Sequence, residues 1–159
     1  MRLDEVAAAV ADAVAALDAT AYSQVTGDAF TESDLPLPLV PQLQAATVQH
    51  LAFSVSVDAC DNANTRRDAP GDVIRVASTV RVYLAYQLRA AYTLDDYRLH
   101  LRAAGDVLKA INNEATWGAD GDVVAMLVSA WSPTYTLTDG GPPLSVASIT
   151  FRIEHNLTA

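Results

Sequence analysis

The sequence predicts an α+β domain: an antiparallel or mixed β-sheet with two helices packed on one face and a long C-terminal hairpin. Three observations lead there. Two segments, near residues 3–17 and 94–111, repeat apolar side chains at steps of three and four. Other segments alternate in period two, most cleanly where Ala147, Ile149, Phe151 and Ile153 point one way and Ser148, Thr150, Arg152 and Glu154 the other. A turn signal, "DGGPP" at 139–143, separates 134–138 from 144–155 and closes a hairpin.

Taken in order, the first helix carries Leu3, Val6, Val10, Ala13 or Val14, and Leu17 on one stripe, with Asp4 and Glu5 in its first turn, where they suit the helix dipole. The acids at 4, 5 and 12 favour an amphipathic helix over a signal peptide. Residues 18–46 hold Gly27, Pro36, Pro38 and Pro41, and "LPLPLVP" cannot be helical because each proline removes a donor and restricts the residue before it. This segment reads as an extended acidic connection with room for one short edge strand. A strand over 47–58 turns Leu51, Phe53, Val55 and Val57 inward. A polar loop follows, then a strand over 72–86 with Ile74, Val76, Val80, Val82 and Leu84 inward and Arg75, Thr79, Arg81 and Tyr83 outward. That strand is long against the usual five or six residues, so it bends at a bulge or reaches beyond its neighbours.

The second helix is capped by Thr93, carries Asp95 and Asp96 in its first turn and Lys109 near its end, and stops at Asn112-Asn113. Its predicted stripe is Leu94, Tyr97, Leu101, Ala104, Leu108 and Ile111, with Arg98 and Arg102 off it. The run 123–131 is apolar on both faces and reads as a central buried strand. The whole of 1–159 is one domain, with no internal repeat.

At 159 residues, 51% hydrophobic and 18% charged, the chain can bury a sizeable core, and it has no apolar run long enough to span a bilayer. Cys60 is the only cysteine, which excludes an internal disulfide and fits assembly in a reducing cytoplasm. The net charge of −9 is uneven: from Leu3 to Thr65 there are nine acids and no Lys or Arg. Such a surface repels nucleic acid.

No catalytic or cofactor pattern meets its physical requirement. "AAYTLDD" enters the second helix without a glycine and with two acids where a phosphate would sit. His50, His100 and His155 are too scattered for a zinc helix. "DACDNANTRRDA" lacks the ligand order, central glycine and closing glutamate of a calcium loop. Asp95-Asp96 is explained by the helix dipole, and Cys60 with His50 has no local orienting group. Trp117 and Trp131 read as core or interface anchors. The sequence therefore reads as non-enzymatic, with no catalytic or metal residues and no cofactor.

The layout as a whole does resemble a known family. An amphipathic N-terminal helix, a proline-bearing acidic connection, two strands, the helix "LDDYRLHLRAAGDVLKAINN", the apolar "VVAMLVSAW" and a hairpin ending "LSVASITFRIEH" are similar to tail terminator (tail completion) proteins of long-tailed bacteriophages and related gene-transfer particles. The resemblance is a pattern of elements rather than a signature motif. It implies a structural virion protein, assembled in the host cytoplasm, of which six copies form a ring. That ring caps the tail tube, ends its polymerisation and meets a neck or stopper protein of the head. DNA passes through its lumen without specific binding, and no membrane is involved. Arg75, Arg81 and Arg152, outward on their strands, are then expected to meet acids of the neighbouring copy, with Tyr83 and Glu154 beside them. Asp28, Glu32 and Asp34 are expected to line the bore or dock a basic partner. The alternatives are another neck component, such as a stopper or head-completion protein, and a small α+β enzyme or ligand-binding domain with its pocket between sheet and second helix.

Overall fold

The computed structural model describes residues 1–17, 31–32, 51–63, 74–87, 94–117, 123–130, 134–136 and 144–157. Helix α1 (Leu3–Ala15) is followed by strands β1 (Thr31–Glu32), β2 (Leu51–Asn62) and β3 (Ile74–Gln87). Helix α2 (Leu94–Ile111), a 3₁₀ turn (Glu114–Trp117) and strands β4 (Val124–Ala130), β5 (Thr134–Thr136) and β6 (Leu144–Leu157) complete the chain. The sheet order is β1-β2-β3-β6-β4, with β5 also on β6; every pairing is antiparallel except β1 with β2. The expected α+β architecture is present, and its terminal hairpin in part: of the expected 134–138 arm, Thr134–Thr136 pairs with β6, Thr134 with Val146 and Thr136 with Leu144.

Period two sets the inner face. Val80, Val82 and Leu84 of β3, Ala147, Ile149, Phe151 and Ile153 of β6 and Phe53 of β2 are all buried. Val6, Val10 and Val14 of α1 and Ala103, Val107 and Ile111 of α2 close over them, so both helices lie on one side of the sheet. Each fully buried aliphatic or aromatic side chain contributes roughly 1.5–3 kcal/mol. The first turn of α1 is fixed by the Arg2 N–H donating to Glu5 Oε2 at 2.6 Å. At the far end of α2, the orphan carbonyls find side-chain donors: Trp117 Nε1 reaches Ile111 O at 2.9 Å, and Thr116 Oγ1 reaches Ala110 O. Trp117 is thus a core residue, as expected.

Four expectations need correction. The run expected to be a central buried strand is the edge strand β4, where Val124, Leu127 and Val128 are 45%, 46% and 60% exposed. The centre belongs to β3 and β6, whose 14 paired positions run without interruption. On α2 the buried line is Ala103, Val107 and Ile111, and Leu101 is 44% exposed. The helix thus turns Ala103, Val107 and Ile111 into the common core, with Ala104 and Leu108 partly buried against it. Ile74, expected inward, is 47% exposed. Strands of fourteen residues reach roughly 46 Å while the helices reach roughly 20 and 27 Å, so the strand ends overhang. Finally, β2 continues past its expected end at residue 58 to Asn62. A bulge between Val57 and Ala59 absorbs the twist, and β3 stays regular. Thr93, the expected cap of α2, lies outside the described residues, as do Asp28 and Asp34.

Candidate functional site

The sheet face opposite the helices carries the outward residues of β2, β3 and β6. Asp58, at the β2 bulge, lies on this face beside Arg81 of β3, with Asp58 Oδ2 2.7 Å from the Arg81 guanidinium. Ser56 Oγ donates to the other Asp58 oxygen at 2.7 Å. Arg81 also donates to the Tyr83 hydroxyl at 2.9 Å and lies 5.7 Å from that ring's centre. The hydrogen bond to Tyr83 raises the Arg81 pKa above its ordinary value, against desolvation and with help from Asp58. One strand further on, Glu154 takes Arg75 at 3.6 Å and Arg152 at 3.4 Å.

The five residues expected at a subunit interface (Arg75, Arg81, Tyr83, Arg152 and Glu154) therefore share one face, in two ion-paired groups. Each arginine has an acid of its own chain. The pairs are partly exposed, so each contributes about 0–1 kcal/mol and chiefly fixes side-chain direction. Guanidiniums already held by carboxylates offer little to a phosphate backbone. Of the expected acidic segment, Glu32 is on β1, paired in register with Phe53 of β2.

Next to this face runs the β4 edge. Its seven residues, VAMLVSA, contain no charge and no proline, two of the devices that commonly keep a sheet edge from pairing. A bulge at Val128 interrupts its pairing to β6, between Leu127 and Ser129. Half-exposed Val124, Leu127 and Val128 make this the largest exposed apolar run among the described residues.

No protein-family model and no curated protein matches the sequence. Geometry therefore carries the functional reading.

The helix-side face holds one polar cluster that sequence reasoning missed. Ser78 Oγ lies 3.0 Å from His155 Nε2, and the serine hydroxyl faces Cys60 Sγ at 3.9 Å. A serine beside a histidine suggests a nucleophile and its base, but both side chains are fully buried and His155 Nδ1 has no hydrogen-bond partner. A substrate could not reach Ser78 here, and among the described residues no carboxylate orients the ring. The signal was present: His155 is the next inward position after Ile153, and Ser78 lies between inward Val76 and Val80. Between the C-terminal halves of α1 and α2 runs an open groove of about 830 Å³, lined by Ala9, Asp12, Ala13, Lys109 and Thr116 among others. It lies between the helices, not between sheet and helix. Among the described residues, no group of three His, Cys, Asp or Glu side chains could hold a metal, and no helix is long and apolar enough to cross a membrane.

Proposed function

We propose that this chain is a self-assembling structural subunit of the tail-terminator kind. Six copies close a ring at the end of a phage tail tube, stop its growth and present a docking surface to a neck protein of the head. The observation that carries this reading is the β4 edge: uncharged, proline-free and bearing three half-exposed large apolar side chains. Such an edge invites a partner strand.

The topology is compatible with a second copy as that partner. The four long strands β2, β3, β6 and β4 alternate in direction, so the two outer ones run opposite to each other. A copy rotated about a ring axis brings its β2 alongside β4 in antiparallel sense, a heterologous contact that closes into a ring. At this edge β2 exposes Asp58, Cys60, Asp61 and Asn62, and β1 covers only Ala52 and Phe53 among the described residues. In the same reading, the ion pairs of the open face stay within each chain and hold its outward side chains in place. Six chains carry a formal charge of about −54, which lets DNA pass the lumen without adhering.

Negative-stain imaging of the protein mixed with tail tubes tests this. A ring seated on one end of each tube is the expected result. A ring on the head vertex assigns the chain to another neck component. A lone subunit stabilised by a small molecule makes it a ligand-binding domain instead.

A further inference from the structure

We propose that His155, with Ser78 and the docked start of the chain, forms an acid-sensitive clasp: it holds α1 on the sheet while the imidazole is neutral and releases it when the imidazole takes up a proton. The geometry is that of a sealed joint. His155 is fully buried on the helix side of β6, its Nε2 is 3.0 Å from the equally buried Ser78 Oγ, and its Nδ1 has no hydrogen-bond partner. The very next residue is the anchor of the helix: the Met1 amino group donates to Asn156 O at 2.7 Å. The ring and the contact that anchors the start of α1 thus lie on adjacent residues of β6.

The groups around the ring come from three elements. β3 supplies Ser78 and Arg75, whose guanidinium is held by Glu154 of the opposite face; β2 supplies the Cys60 thiol behind Ser78; the α1 end supplies the Met1 ammonium. Both charges acting on the imidazole are cations. A proton placed there would be buried beside them. Desolvation holds the His155 pKa below its ordinary 6.5; the backbone of Asn156 opposes this, the Met1 ammonium adds to it, the backbone of Met1 opposes it again, and Arg75 adds to it. The sign follows from linkage. Above 6.5 the imidazole is neutral in both docked and released states and costs nothing. As pH falls from 6.5 toward the lowered value of the docked state, the released state binds the proton more readily, and docking weakens.

Hydrogen exchange on the full chain tests the clasp. After correction for intrinsic rates, the amides of Val6 and Val10 are expected to exchange about fivefold or more faster near pH 5 than near pH 7.5, with Val107 and Ile111 of α2 unchanged. His155→Gln, which keeps a neutral polar side chain, is expected to abolish the difference. An equal acid response in His155→Gln, or loss of protection in α1 and α2 together, would overturn the proposal. Should that variant fail to fold, the imidazole of wild-type His155 can be titrated by NMR alongside the α1 amide shifts. Coincident midpoints below 6.5 support the clasp, and separate midpoints refute it.

Discussion

Phe151 is fully buried at the centre of β6, with β3 on one side, β4 on the other and the helices above. Phe151→Ala is expected to lower stability by about 3–5 kcal/mol, through lost transfer energy and the cavity it leaves, measured by urea denaturation. Arg81 sits at the other extreme. Although it contacts Asp58, Tyr83 and the ring face, all of this is partly open to water. Asp58→Asn should therefore cost no more than about 1 kcal/mol in the same experiment. The contrast between these residues was legible in sequence, since Phe151 occupies an inward and Arg81 an outward position of a period-two pattern. The Ser78–His155 contact was not, because residues 77 apart in sequence meet only once β3 and β6 are placed in register.

Among the elements, α2 holds a glycine that serves no turn. A Cβ added at Gly105 would meet nothing within 4 Å, and the residue lies inside an 18-residue helix. Gly105→Ala is expected to stabilise the protein by about 0.5–1 kcal/mol, seen as a raised thermal midpoint, because alanine loses less backbone entropy in a helix. The same helix illustrates where periodicity runs short. Its limits were readable from Asn112-Asn113 and Lys109, but its rotation was not. A stripe chosen by side-chain size favours Leu101, whereas the line that enters the core is Ala103, Val107 and Ile111. Strand β6 was read correctly because one of its faces is buried and the other is not. Strand β4 was misread because an apolar run on both faces signals burial without saying what does the burying. In the proposed ring, a neighbouring copy does it. Val128→Lys then separates folding from association: at 60% exposure it should leave the thermal midpoint of the isolated chain nearly unchanged while blocking assembly.

On the scale of the whole molecule, the excess of nine negative charges and the exposed apolar edge act against each other. In the proposed ring, copies repel at long range and attract at contact, so added salt should favour assembly by screening the repulsion, the opposite of the behaviour of an interface held by ion pairs. Light scattering at rising salt reads this directly. The central claim is that copies of this chain join through the β4 edge, and sedimentation velocity tests it most directly. Six chains of 16.9 kDa predict a species of about 101 kDa that is lost in Val128→Lys. A 16.9 kDa monomer at every concentration, alone and with tail tubes, would contradict the account, as would a Val128→Lys variant that assembles like the parent.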